Sequence, residues 1–188
     1  MLPPLRHRPS APCITIAALL GAAGAAVAGP LNPPAGPVTS SYKTLSEVEP
    51  RTAINDTNTP GDQNSLYRIT KPGSYYLTGN IVGVSGRSGI VVACSDVTID
   101  LPGFGVFGGP GTLDGIAVAG AGDGQFPAIF NVTVMHGSVD GWGAGGVLLS
   151  AGVSFNTRIE DVRASHNGGS GLGVGVSGLI RNCSSTYN

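Results

Sequence analysis

Short apolar segments led by glycine alternate with polar turns between residues 89 and 188. Each of them is followed by a β-branched segment in which apolar and polar positions alternate, a period typical of strands. The glycine-led segments are residues 89–92, 115–118, 146–149 and 171–174, and the β-branched segments are residues 97–100, 132–135, 158–160 and 179–181. A helical repeat would place its apolar residues three and four positions apart. The pattern therefore predicts a succession of strands.

The last two repeats are 21 residues apart. The residue pairs with that spacing are Ile159 and Ile180, Asp161 and Asn182, and Asn167 and Asn188. Units this short cannot bury their own apolar face and must stack on their neighbours, which is typical of solenoids. Stacked strands lie about 4.8 Å apart, so we expect about four turns. The predicted inner ladder consists of Ile90, Ile116, Val147 and Leu172.

A more specific likeness comes from residues 72–80, followed by the strand and turn at residues 97–104. Together with the repeats, roughly residues 60–188 resemble the right-handed parallel β-helix family, the pectate-lyase-like superfamily. The likeness is in particular to uncharacterised exported bacterial members. It implies an all-β, right-handed parallel β-helix, a solenoid with three strands per turn around a triangular core. It implies a fold and no particular chemistry.

Four segments are predicted along the chain. Residues 1–28 combine two arginines, an apolar run of about 14 residues and a small-residue cleavage pattern, which predict a signal peptide; a membrane anchor is the alternative. Residues 29–43 are rich in Pro and Gly and predict a linker. Residues 44–80 predict an N-terminal cap with a short helix at residues 44–49 and strands around residues 66–69 and 75–77, and a disordered linker is the alternative. Residues 81–188 hold the repeats.

The charge of the chain excludes one class of partner. The 188 residues contain 10 Lys and Arg against 11 Asp and Glu, and two of the arginines, Arg6 and Arg8, belong to the predicted signal peptide. No basic region remains to bind nucleic acid. No segment after the signal peptide is apolar enough to cross a bilayer. We therefore expect an exported protein that is secreted, periplasmic or at the cell surface.

Two cysteines, Cys94 and Cys183, lie beyond the signal peptide. They fall in the first and last predicted turns, about 14 Å apart along the axis. A disulfide requires Cα atoms within about 7 Å of each other. We predict that both thiols are free and largely buried.

The candidate catalytic residues lie on or just after the second strands and are Asp100, His136, Glu160, Asp161 and Arg181. Glu160 and Arg181 are equivalent positions on adjacent turns and predict an exposed ion pair. His136 and Asp161 stand where the chain must bend, and Asp and His tolerate left-handed backbone. A turn role for His136 is therefore favoured over that of a catalytic base. The sequence contains no metal-ligand spacing and no cofactor motif, so neither is predicted.

The family likeness implies a test for polysaccharide cleavage. Enzymes of this family cluster acidic and basic residues on the outer side of the first strands. The outward positions there are Val91, Ala117, Leu148 and Gly173, none of which can ligate a metal or move a proton. We therefore favour a non-catalytic protein that binds a carbohydrate or a cell-surface protein. A polysaccharide lyase, glycoside hydrolase or epimerase, degenerate or truncated, is the alternative.

Trp142 is the candidate ligand-binding residue. It lies in a loop at residues 140–143 that borders the first-strand face. An exposed indole there would offer a stacking platform to a sugar ring or a partner protein. A buried indole would be part of the core, and the sequence leaves both alternatives open.

Two further expectations concern an insertion and the last repeat. Residues 120–131 must bulge from the coil, and Phe126, Ile129 and Phe130 should fold back on its flank because they are too apolar for water. Asn188 corresponds to Asn167, so the solenoid is expected to be incomplete. It would be a fragment of a longer β-helix, or its last turn would be covered by end-to-end contact with another chain.

Overall fold

The computed structural model describes residues 50–119, 128–150 and 153–188, all within the compact unit Lys43–Asn188. These residues form strands and turns, and none of them forms a helix. The first eight strands are β1 (Thr52–Ala53), β2 (Ser65–Ile69), β3 (Gly73–Tyr76), β4 (Ile81–Val82), β5 (Ser88–Val92), β6 (Val97–Asp100), β7 (Gly105–Phe107) and β8 (Ile116–Val118). The others are β9 (Ile129–Phe130), β10 (Val132–Asp140), β11 (Val147–Leu148), β12 (Ser154–Phe155), β13 (Arg158–Ser165), β14 (Leu172–Gly173), β15 (Leu179–Arg181) and β16 (Ser184–Thr186). The predicted signal peptide, linker and helix at residues 44–49 lie outside the described residues.

Successive turns pair in parallel and build three sheets. The first face is a five-stranded sheet in the order β14-β11-β8-β5-β2. The second and third faces share a nine-stranded sheet whose main path is β1-β3-β6-β10-β13-β15, with β4, β7 and β16 paired beside it. A two-stranded sheet, β12-β9, joins the first face to the second. The predicted all-β parallel β-helix is therefore confirmed.

The solenoid has about five turns, one more than the repeats predicted. The additional turn contains β2 and β3, which the sequence analysis placed in the cap region. Tyr67 of β2 pairs with Ile90, and Tyr75 of β3 pairs with Ile99. Both strands were expected, but as parts of a cap rather than of a solenoid turn, because Leu66 occupies the place that the leading glycine, Gly89, has in the next turn.

The predicted inner ladder of the first face is confirmed. Ile90, Ile116, Val147 and Leu172 pair from turn to turn in the expected register. The first three side chains of that ladder are fully buried. On the second face, Val134 lies between Ile99 and Ile159, and all three are fully buried. Apolar ladders on both faces therefore meet in one core.

Bends between the faces depend on residues with left-handed backbone. His136 has a φ of 63° and Asp161 a φ of 52°, and each divides a long strand, β10 or β13, into a second-face and a third-face half. The predicted turn role of His136 is confirmed. Similar values occur at three corners: Asp96, Asn131, Asn156 and Ser177 at the first, His136, Asp161 and Asn182 at the second, and His166 and Tyr187 at the third.

The outer edge of β2 is covered by the chain segment that precedes it. Pro60 forms an antiparallel bridge with Tyr67, and the Arg68 amide donates to the Thr59 carbonyl at 3.2 Å. The side chain of Asn55 accepts hydrogen bonds from the amides of Thr57 and Asn58, which closes the turn in this segment. An uncovered parallel edge invites pairing with other chains, and this segment occupies that edge.

Both described cysteines are free, as predicted. Cys94 and Cys183 are half-buried rather than fully buried. Burial raises the pKa of the Cys94 thiol, and the nearby Asp96 carboxylate acts in the same direction. The Cys94 thiol is therefore a poor nucleophile at neutral pH.

Candidate functional site

The charged candidates form ion pairs along the outer side of the second face. Glu160 pairs in register with Arg181, and an Arg181 guanidinium nitrogen lies 3.0 Å from a Glu160 carboxylate oxygen. The other Glu160 oxygen lies 3.5 Å from Arg158. The predicted ion pair of Glu160 and Arg181 is confirmed, but it is not fully exposed as expected, because the Glu160 side chain is only 12 % exposed. The positive charges of Arg158 and Arg181 therefore compensate the negative charge of the Glu160 carboxylate.

Asp100 lies two turns before Glu160 in the same outward row. Its carboxylate accepts from Arg51 at 2.7 Å, and its other oxygen lies 3.0 Å from His136 Nδ1. The opposite ring nitrogen of His136 lies 3.9 Å from Asp161. The structure thus brings Asp100, His136 and Asp161 together across three turns.

This cluster contains one imidazole and two carboxylates, and both imidazole nitrogens lie near those carboxylates. Among the residues that the structure describes, no three His, Cys, Asp or Glu side chains form a group that could hold a metal ion. A general base needs its second nitrogen directed at a substrate proton. His136 Nε2 instead lies 3.9 Å from an Asp161 oxygen, so the cluster resembles a set of polar surface contacts more closely than a catalytic set.

A second aspartate–histidine contact repeats this geometry on the third face. Asp140 accepts from the Ser165 hydroxyl at 2.6 Å, and His166 Nδ1 lies 2.9 Å from the same oxygen. These two hydrogen bonds, that of Ser165 first, lower the pKa of the Asp140 carboxyl. In both contacts an aspartate at a strand end meets a left-handed histidine of the next turn. The contacts therefore join consecutive turns.

Trp142 is buried, and the exposed stacking platform left open by the sequence is not present in this structure. The side chain is 1 % exposed, and its indole nitrogen donates to the Val106 carbonyl at 2.9 Å. The ring packs closely against the backbone at Gly83 and Gly89, where an added Cβ would lie 3.0 Å from it. Trp142 belongs to the core because glycines of neighbouring turns leave room for it.

The outward row of the first face is apolar, as predicted. Val91, Ala117, Leu148 and Gly173 follow one another from turn to turn. The additional turn places Arg68 beside Val91. Arg68 lies 3.0 Å from Asp62, a carboxylate of the segment that covers β2. The row therefore offers one charged side chain, which already has an acidic partner.

A polar groove that the sequence analysis did not identify lies beside the first corner. It has a volume of about 380 Å³ and is lined by Asn131, Thr133, Asn156, Thr157, Arg158, Ser177 and Leu179. We call Asn131, Asn156 and Ser177 the polar strip. They occupy the same left-handed corner position on three consecutive turns, and all three are exposed. Such a strip presents a similar polar group about every 4.8 Å along the axis.

An apolar strip runs alongside the polar strip and consists of Phe130, Phe155 and Val176. Each of its members directly precedes a member of the polar strip in the chain. The rings of Phe130 and Phe155 stack with centroids 5.1 Å apart, and Phe155 pairs with Val176. Phe130 is 43 % exposed and Val176 is 61 % exposed. Exposed apolar carbon therefore lies one residue before the polar strip in each turn, although none of the three side chains lines the groove itself.

The insertion expected at residues 120–131 is described only from residue 128 onward, and Phe126 lies outside the described residues. Ile129 is buried, as predicted. Phe130 does not fold into the flank as expected, because β9 belongs to a ladder and directs alternate residues outward. The repeated dipeptides Phe130-Asn131 and Phe155-Asn156, 25 residues apart, are the signal from which both strips could have been predicted.

The chain matches no protein-family model, no curated protein and no solved structure. None of the described residues belongs to a helix long and apolar enough to cross a membrane.

Proposed function

We propose that this β-solenoid is a non-catalytic, exported protein that binds a carbohydrate in the groove lined by the polar strip. The proposal includes membership of the pectate-lyase-like superfamily and a site of action outside the cell, at the cell surface or in the periplasm. A surface protein is the other class of partner. The groove is the observation that carries the proposal, because amides and hydroxyls in a row match the donors and acceptors of a sugar chain.

The shape of the groove supports a polymer over a small molecule. Its polar strip spans three turns and is open to solvent. A small ligand is usually enclosed by most of its binding site, whereas a chain that lies along the axis can contact the same side-chain type on successive turns. Each contact is weak, and several linked contacts together give useful affinity.

The test uses Asn156, whose exposed amide lies in the middle of the polar strip. Asn156→Gly removes the amide and keeps a residue that accepts the φ of 54°. Asn182→Gly makes the same change at the second corner, where φ is 52°, and is the matched control. On a glycan array with the full chain, Asn156→Gly should weaken binding about tenfold. Equal binding by both variants, or no glycan binding by the wild type, would contradict the proposal.

A polysaccharide-cleaving or epimerising enzyme is the second candidate. The 3.0 Å contact of Asp100 with His136 favours it, because a carboxylate that orients an imidazole is a common arrangement around a general base. A release assay on uronic-acid polymers, run beside the glycan array, separates the two candidates. Unsaturated or shortened products that disappear in His136→Asn would support the enzyme, and Asn keeps the left-handed turn.

A further inference from the structure

We propose that the groove selects an uncharged glycan, whose sugar rings pack on the apolar strip while their polar substituents reach the polar strip. This inference rests on the proposed carbohydrate-binding function and specifies the ligand class. Two observations carry it: each member of the apolar strip directly precedes a member of the polar strip, and the charged residue of the groove lining, Arg158, already lies beside a carboxylate.

The apolar strip provides the surface for the carbon-bound face of a pyranose ring. Phe130 and Phe155 are stacked with an interplanar angle of 14°, so the two rings act as one rigid unit. In the preceding turn, the Ser95 hydroxyl accepts from the Phe130 backbone amide at 3.0 Å. Phe130 itself is 43 % exposed. A rigid aromatic side chain binds at little entropic cost.

The polar strip provides hydrogen bonds to the edge of the same sugar. An amide side chain offers both an acceptor and two donors, which suits hydroxyl groups and acetamido groups equally. Asn131 donates to Asp96 at 2.7 Å, and this bond holds the Asn131 amide in place. The Asn156 side chain makes no hydrogen bond to other described residues and is exposed. The strip thus combines a fixed amide with an available one.

The charges near the groove favour an uncharged ligand. Arg158 is the charged residue of the groove lining, and it lies 3.5 Å from Glu160. A carboxylated sugar would have to compete with Glu160 for this guanidinium. It would also approach the Asp96 carboxylate, which occupies the same corner one turn before Asn131. Like charges at short range oppose binding, whereas an uncharged sugar meets no such repulsion.

The first experiment measures the binding of the full chain to three probes of equal length by calorimetry. Cello-oligosaccharides carry hydroxyl groups, chito-oligosaccharides carry acetamido groups, and oligogalacturonates carry carboxylates. One of the two uncharged probes should bind at least about tenfold more tightly than the oligogalacturonate. Which of the two binds shows whether the groove recognises hydroxyl groups or acetamido groups. Equal or tighter binding of the oligogalacturonate would overturn the inference and leave the proposed function standing. Binding of none of these probes, nor of any other glycan, would overturn both.

The second experiment tests the apolar strip. Phe155→Ala should lower the affinity for the preferred uncharged probe about tenfold, and Phe155→Leu, which retains apolar bulk, should lower it severalfold. Phe107→Ala is the matched control, since Phe107 is 37 % exposed on a different strand, β7. Trp142 fluorescence shows whether each variant is folded. Unchanged affinity in a folded Phe155→Leu and a folded Phe155→Ala would overturn the role of the apolar strip.

Discussion

At the scale of single residues, the core depends on one large side chain that is surrounded by glycines. Trp142 is the one tryptophan of the 188 residues, and it fills space that Gly83, Gly89 and Gly115 leave free. A Cβ at Gly115 would lie 3.1 Å from the indole ring and closer still to Val139. The ring also satisfies a buried carbonyl, that of Val106. Size and hydrogen bonding both fix the residue at this position.

Trp142→Phe should therefore destabilise the fold by about 1–3 kcal/mol, because it leaves the Val106 carbonyl without its donor and opens a cavity. Urea denaturation followed by circular dichroism measures the change. The control is Phe107→Leu, at a side chain that is more than a third exposed. Equal stability of Trp142→Phe and the wild type would show that the indole contributes little to the core.

Asp140 makes stability depend on pH at the acid end. Its pKa is lowered in the folded state by the hydrogen bond from Ser165 and then by that from His166. A lowered carboxyl pKa stabilises the fold above the unfolded value of about 3.9, and this contribution disappears as the pH falls through the folded value. The side chain is 39 % exposed, so solvent screening limits the contribution to less than about 1 kcal/mol.

Asp140→Asn should remove this contribution. It should lower the melting temperature slightly at pH 7, and the difference should shrink as the pH falls through the lowered folded-state pKa of Asp140, because the wild-type carboxyl then becomes protonated as well. Asp56→Asn, at an exposed aspartate in a turn, is the control. Parallel pH curves for Asp140→Asn and the wild type would contradict the assignment.

Residue patterns predicted the corners better than they predicted the site. His136 and Asp161 were predicted to lie at bends because Asp and His tolerate left-handed backbone, and the structure confirms this. The left-handed residues of the first corner were not predicted, because they follow short strands that lack a leading glycine. The burial of Trp142 could not be predicted either. It depends on glycines from three turns that are distant in the sequence.

At the scale of elements, the edge of β2 is the point at which the solenoid meets its covering segment. Gly61 passes so close to β2 that a Cβ there would overlap the carbonyl of Leu66. In this segment the Thr59 carbonyl accepts a hydrogen bond from the Arg68 amide, and Pro60 forms a β-bridge with Tyr67. Its sequence contains Pro60 beside Gly61, and proline is common at strand edges because it lacks an amide donor.

Gly61→Ala should displace the covering segment and destabilise the protein by about 1–3 kcal/mol. It should also speed hydrogen exchange at the Arg68 amide, which donates to Thr59. Gly79→Ala is the matched control, because a Cβ there would meet no atom within 4 Å. If exchange at Arg68 is as slow in Gly61→Ala as in Gly79→Ala, the segment does not protect the edge.

Elements were easier to predict when they kept the glycine-led pattern. The strands β5, β8, β11 and β14 were found from sequence because each contains or follows a glycine at the same position. β2 has Leu66 there, and its place in the ladder is set by hydrogen bonds to β5 rather than by its own pattern. Local periodicity identifies a strand, whereas its membership in a turn is decided by pairing.

At the scale of the whole molecule, stability comes from contacts between neighbouring turns. A turn buried between two others should therefore matter more than a turn with one described neighbour. Ile159 and Ile180 test this, because they are consecutive members of the same ladder. Ile159 is fully buried, while Ile180 is 42 % exposed.

Ile159→Ala should destabilise the protein by about 2–5 kcal/mol, and Ile180→Ala should destabilise it less, because a large part of the Ile180 side chain already contacts water and less transfer energy is lost. Urea denaturation of both variants measures the difference, with circular dichroism as the signal. Equal losses of unfolding free energy in the two variants would show that both positions contribute equally to stability. That result would argue against stabilisation by neighbouring turns.

The left-handed corners have a consequence for how such a surface can change over evolutionary time. Each corner requires a backbone angle rather than a particular chemical group, and Asn, Asp, His, Ser and Tyr all occupy these positions in this chain. An amide, an acid or an imidazole can therefore replace one another there at little cost to folding. The same coil could acquire a new ligand by exchanging corner residues, while its apolar ladders remain untouched.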